Sequence, residues 1–229
     1  MKKALFILTI LTGLAFSGKA QLQYFGIKTG IAFTSMGGGS LGTHFSDLGG
    51  TGLIAGFSYD YFFNDYLSFA PELIYFRKGT EFFKDSSVSS HANRTDIYKL
   101  NYFQLPLTLK IKYPFDMFNI YGLVGPYVSY LFSGKASEEG YAIIGKREMN
   151  LKSFFSEQER NQKFSRFDVG FNLGAGAEID AGSGRITFQL RYDIGFIPVA
   201  KDQEVDFEYM SFGSNRAWSI EAGYAIRID

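Results

Sequence analysis

From Arg166 to Phe196 apolar and polar residues alternate with a period of two. Phe167, Val169, Phe171, Leu173, Ala175, Ala177 and Ile179 stand against Arg166, Asp168, Gly170, Asn172, Gly174, Gly176, Glu178 and Asp180. After Gly182-Ser183 the pattern resumes with the parity exchanged: Ile186, Phe188, Leu190, Tyr192, Ile194 and Phe196 oppose Arg185, Thr187, Gln189, Arg191 and Asp193. Alternation of this kind marks β-strands with two unlike faces. A glycine-serine pair between two such runs suits a two-residue type II′ hairpin turn, with glycine where φ is positive. Asp180 then faces Arg185 across the turn, both on the polar face.

The same period recurs along the chain. Residues 24–36, 51–63, 67–78, 100–113, 119–133 and 217–228 complete a predicted set of eight strands with the two of the hairpin. Over 119–133 both parities are apolar or small, so inside and outside stay unassigned there. Long polar connections at about 37–50, 79–99, 134–163 and 198–215 alternate with short turns at 64–66, 114–118 and 182–183. A secreted β-sandwich has no reason to gather every long loop at one end. An outer-membrane barrel does, with short periplasmic turns and long extracellular loops, an even strand count and strands of about 10 residues. Tyr61, Phe63, Tyr66, Tyr113, Phe115 and Phe118 cluster beside the turns, as interfacial aromatics would. The expected fold is all-β: an eight-stranded antiparallel transmembrane up-and-down β-barrel with a side-chain-filled interior.

Composition sharpens this only at the margins. Mean hydropathy is −0.04 across 229 residues, so average polarity hides the membrane. Lys2 and Lys3, the apolar run of residues 4–16 and Gly18-Lys19-Ala20 read as a signal peptide over residues 1–20, leaving 21–229 as one barrel domain. No later run approaches the roughly 18–20 apolar residues of a spanning helix. Cysteine is absent, which removes disulfides, thiolate metal sites and cysteine nucleophiles. The chain has 23 basic and 23 acidic residues, and without Lys2, Lys3 and Lys19 the balance is 20 to 23. That balance gives no footing for nucleic acid. The expected partner is outer-membrane lipid around a monomer, with envelope or secretion-machinery proteins as further partners, and no cofactor.

Three segments carry a family likeness: Asn101-Tyr102-Phe103-Gln104-Leu105-Pro106-Leu107-Thr108-Leu109-Lys110, Tyr121-Gly122-Leu123-Val124-Gly125-Pro126-Tyr127, and Asp168 through Gly176 with Arg191-Tyr192 after it. In that order they resemble the PorT-like outer-membrane β-barrel family, over nearly all of the chain from Gly26 onward. The resemblance implies location in the bacterial outer membrane and, for the role, help in secreting proteins to the cell surface; a fold alone does not fix the role.

Lys28, Asp60, Glu72, Lys110, Arg166, Asp168, Glu178, Asp180, Arg185, Arg191, Asp193, Glu221 and Arg227 all fall on the polar parity. An eight-stranded barrel is just wide enough for side chains to fill, so these mixed charges read as a structural plug of ion pairs rather than a pore or ligand site. Asp60, Glu72, Glu178 and Glu221 have no spacing that singles out a hydrolytic pair. His44 and His91 lie in expected loops, near Asp47 and Ser90 respectively, but no nucleophile motif accompanies them and two histidines make no metal site. The expectation is a non-enzymatic barrel. The alternative is a surface recognition or transport module working through its long loops.

Overall fold

In the computed structural model, residues 22–37, 45–84, 94–140, 147–150, 165–199, 203–205, 208–210 and 213–228 are described. The expected signal peptide, His44, Ser90 and His91 lie outside them. Eight long strands make up the wall: β1 Gln23–Gly37, β2 Gly50–Phe62, β3 Leu67–Lys84, β4 Arg94–Pro114, β5 Asn119–Gly140, β6 Phe167–Ala181, β7 Gly184–Pro198 and β8 Ser214–Ile228. Each pairs antiparallel with its neighbours in sequence. β1 also pairs with β8 from Gln23↔Ile228 to Gly37↔Ser214, which closes the sheet and leaves the wall without an edge.

The turns follow from local chemistry. Asn64 Oδ1 accepts from the backbone N–H groups of Tyr66 at 2.9 Å and Leu67 at 2.8 Å, which fixes the β2–β3 turn. Gly182 has φ of 64°, and Ala181↔Gly184 and Asp180↔Arg185 close the β6–β7 hairpin in the register that a two-residue loop requires.

The outer surface is apolar along every strand. On β4 it runs Phe103, Leu105, Leu107, Leu109, Ile111 and Tyr113. Ten residues separate Phe103 from Tyr113; at about 3.3 Å per residue and a tilt near 40° they span about 25 Å, the height of an outer-membrane barrel's apolar band. Aromatics bound that band. At one end Phe103 stacks on Phe132 with ring centroids 4.4 Å apart, and Tyr192 stacks on Trp218 at 4.5 Å. At the other, Tyr113, Phe115 and Phe118 pack in series at 5.1 and 5.0 Å. No helix among the described residues is long and apolar enough to cross a membrane; the crossing is made by strands.

Two expectations need correction. Parts of the stretches read as loops are strand, because β3 continues to Lys84, β4 starts at Arg94 and β5 runs to Gly140. These three strands stand above the upper aromatics as one wall, widened by Phe45–Asp47 on β3 and Arg147–Asn150 on β5. Past Lys78 and Ser133 the buried positions are small or polar, among them Gly79, Thr80, Gly134 and Ser137, so the apolar alternation that marks a strand fades. A short hairpin of Gln203–Val205 and Glu208–Met210 likewise lies within the expected 198–215 loop. The unassigned strand resolves too: on β5 the odd residues Tyr121, Leu123, Tyr127, Ser129 and Leu131 are buried inside, and the even ones face out.

Candidate functional site

The chemistry of this chain is concentrated inside the barrel, in three tiers. Nearest the short turns, Asp60, Lys110, Glu178 and Arg185 come together from β2, β4, β6 and β7. Lys110 Nζ pairs with Glu178 Oε1 and lies 3.2 Å from Asp60 Oδ2. Arg185 Nη1 donates to Glu178 Oε2 at 3.0 Å, and its Nη2 donates to Asp60 Oδ2. Below them the guanidinium lies 3.8 Å from the Tyr24 ring centroid and 5.1 Å from that of Phe62, and Lys112 Nζ stands 4.5 Å from the Phe62 centroid, so two rings and two cations close this end.

In the middle tier Lys28 Nζ lies 2.6 Å from Glu72 Oε1 and 2.5 Å from Glu221 Oε2. Arg191 touches three carboxylates: Nη1 donates to Glu72 Oε2 at 2.8 Å, Nη2 is 3.1 Å from Glu221 Oε1, and Nε is 3.2 Å from Asp193 Oδ1. Gln104 Nε2 donates to Asp193 Oδ2 at 2.7 Å, while Gln104 Oε1 accepts from Ser129 Oγ at 2.9 Å. The upper tier is Lys78 and Asp168, 3.2 Å apart. The lysine ammonium stands 4.8–5.2 Å from the ring centroids of Tyr127, Phe76 and Tyr102. An apolar wedge of Ala32, Ile54, Ile74, Phe76 and Ala217 fills the β1–β2–β3–β8 side of the lumen.

Register explains why long ionised side chains fit. Lys28 is flanked by Gly56 on β2 and Gly223 on β8, Arg191 by Gly174 on β6, and Glu221 by Gly30 on β1. Each glycine leaves a gap through which a neighbour reaches a partner. Two more glycines seat rings, since Tyr127 pairs with Gly170 and Tyr121 with Gly176. A Cβ at Gly170 would fall 2.6 Å from Tyr127 Cζ. Gly170→Val is therefore expected to displace that ring from Asp168 and lower stability by about 1–3 kcal/mol. Gly122→Ala, whose added carbon would meet only a carbonyl oxygen at 3.9 Å, is expected to stay within about 0.5 kcal/mol of the parent. Urea titration of the compact gel band reads both.

The structure gathers Lys28, Asp60, Glu72, Lys110, Asp168, Glu178, Arg185, Arg191, Asp193 and Glu221 in the buried interior. Arg166, Asp180 and Arg227 are exposed, which departs from the thirteen-residue expectation. All three keep the inward parity but lie at the mouths: Arg166 just before β6, Asp180 beside the Gly182-Ser183 turn, Arg227 opposite Tyr24 at the foot of β8. There the lumen opens to water, and a charged side chain keeps part of its hydration. Arg185, directly opposite Asp180, differs because its longer side chain reaches up into the tier. Lys78 is a further buried charge in the interior, on the same face of β3 as Glu72, and that shared parity is its signal in the sequence.

Between the lower and middle tiers lies a cavity of about 30 Å³, room for about one water. The arrangement ties opposite sides of the wall together.

Residues 20–201 match the family model described as outer membrane protein beta-barrel domain. Among solved structures, the chain is similar to Ail of Yersinia pestis, with 15% identity over 90% of this chain and 99% of that one and a TM-score of 0.40. It is also similar to OprG of Pseudomonas aeruginosa, at 12% identity over 90% and 97% with a TM-score of 0.48. A third likeness is to Neisserial surface protein A, at 12% over 89% and 97% with a TM-score of 0.41. No curated protein matches the sequence.

Proposed function

The chain belongs to the outer membrane protein β-barrel family, and from that premise we propose that it works without catalysis, as a rigid envelope component that assists protein secretion to the cell surface in the manner of PorT-like barrels. The observation that carries this reading is the filled lumen. Three tiers of buried, mutually paired side chains occupy the space that a conduit would need, so action falls to the rims and outer strands. The PorT-like part rests on the segments at 101–110, 121–127 and 168–176. Deleting the gene is expected to deplete proteins from the cell surface and to leave their precursors in the periplasm, with recovery on re-expression of the full chain. Quantitative proteomics of surface and periplasmic fractions reads this, and an unchanged surface proteome rules the secretion role out.

A second reading is favoured by the wall of β3, β4 and β5 that rises above the upper aromatics with a short strand on either flank. Such a one-sided sheet is a platform for surface recognition, since function gathers on the segments that a rigid scaffold displays.

A further inference from the structure

On the outer surface of the wall, two features line up across the height of the barrel. The lower one is a groove of about 350 Å³ in the apolar band, lined by Phe25, Phe57, Tyr59, Pro71, Leu73 and Leu105. Pro71 accounts for it. A proline has no N–H to give to a ladder, and the β2–β3 pairing is interrupted beside it, between Ser58↔Glu72 and Tyr61↔Phe69. Phe25 and Phe57, stacked with ring centroids 5.8 Å apart, form the bank on β1 and β2.

The upper feature is a cluster of cations. Above Leu73 the outward residues of β3 are Tyr75 and Arg77; above Leu105 those of β4 are Phe103, Asn101 and Lys99. Lys135 of β5 stands directly opposite Lys99, and all three cations are exposed. Asn101 Oδ1 accepts from Tyr75 Oη at 2.7 Å and from Arg77 Nε at 3.2 Å, which ties the guanidinium to the upper aromatic belt. Glu81, four residues above Arg77, is the described acidic residue on the same outward parity of β3. Like charges set opposite each other repel, and an anion between Lys99 and Lys135 turns that repulsion into attraction. At the other end the short turns display acidic groups instead, Asp65 and Asp116.

We propose that this face binds one phosphorylated lipid of the outer leaflet, its phosphate held by Arg77, Lys99 and Lys135 and an acyl chain laid in the groove. Arginine and lysine are the side chains that take phosphate, the arginine through its planar fork, and basic clusters just outside an apolar band recognise anionic headgroups. Depth agrees. The four residues from Leu73 to Arg77, at about 3.3 Å each and a tilt near 40°, span about 10 Å, which keeps the groove within the outer half of an apolar band about 25 Å tall. The occupant is a lipid rather than a free anion because the space below the cations is apolar and opens to hydrocarbon.

The test follows thermal unfolding of the full chain in dodecyl maltoside micelles that contain dioleoylphosphatidic acid, dioleoylglycerol or inorganic phosphate. Phosphatidic acid at a hundredfold excess over its dissociation constant is expected to raise the melting temperature by roughly 5–10 °C. Dioleoylglycerol, with chains and no phosphate, and inorganic phosphate, with no chain, are expected to raise it far less. Lys99→Gln with Lys135→Gln is expected to lose the rise, and Leu73→Trp, which fills the groove, to shrink it. Arg216→Gln, which removes an exposed cation of β8 outside the cluster, is expected to keep it. Equal shifts from the two lipids overturn the proposal, as does a rise that survives the double lysine variant. A full rise from inorganic phosphate, or in Leu73→Trp, overturns the lipid as occupant. Equal losses in Arg216→Gln and the double lysine variant overturn the local site in favour of diffuse charge. The compact gel band reports folding of each variant before lipid is added; where Leu73→Trp lacks it, Leu105→Trp takes its place.

Discussion

Replacing Arg191 with alanine is expected to lower the melting temperature of the folded barrel by roughly 6–20 °C, the equivalent of about 3–5 kcal/mol in a chain of this size. The guanidinium is 1% exposed and contacts Glu72, Asp193 and Glu221 from three sides. Removing it leaves Lys28 alone in the middle tier against three carboxylates. The loss comes less from the missing attraction than from the uncompensated charges that stay behind, which is why breaking one member of a buried ion set costs more than deleting the set. Arg191→Lys keeps the charge but presents one compact ammonium in place of a planar fork, so it is expected to recover only part of the loss. Adding Glu72→Gln and Glu221→Gln to Arg191→Met is expected to restore much of it, giving a strongly non-additive cycle. Heat-dependent loss of the compact gel band measures each variant. Equal stability of Arg191→Ala and wild type would mean that the middle tier does not hold the wall together.

The sequence exposes the barrel most clearly where one face of a strand meets lipid and the other meets the charged tiers. β6 and β7 alternate without interruption because Phe171 and Leu173 face out while Asp168 and Asn172 face in. β5 hides the same arrangement, since its inward positions include Tyr121, Leu123, Tyr127 and Leu131, which share the apolar character of the outward Ile120, Val124 and Val128. Those inward rings pack against the charge pairs, Tyr127 beside Lys78 and Tyr121 beside Lys110. Strand ends are hidden for another reason: past Lys78, Asn101 and Ser133 neither face is apolar by necessity, so 79–84, 94–99 and 134–140 read as loop. The membership of the interior network is legible by parity, but which members are buried depends on depth. Parity cannot tell Asp168 from Asp180 on the same strand, although one lies deep in the lumen and the other at its mouth.

Leu109→Arg is expected to destabilise the membrane-inserted barrel by about 2–4 kcal/mol, while Tyr113→Arg costs no more than about 1 kcal/mol. Both side chains are well exposed, at 47% and 61%, on the outer face of β4. In a water-soluble sandwich, charges at exposed positions of one strand would be close to neutral. Here depth decides. Leu109 lies between the two aromatic belts, where an arginine must strip its hydration or drag water into hydrocarbon, and Tyr113 lies at the belt, where the guanidinium reaches the headgroups. The neighbouring inward residue is a useful contrast, because Lys110 is already charged and is held by Asp60 and Glu178. One residue along the strand therefore separates a position that requires a cation from one that rejects it. Reversible urea unfolding in lipid vesicles, followed by gel mobility or tryptophan fluorescence of Trp218, measures the cost of each variant. A cost that peaks at Leu109 and falls toward Tyr113 fixes the height of the apolar band along β4, and a flat profile would remove the bilayer from this face of the barrel.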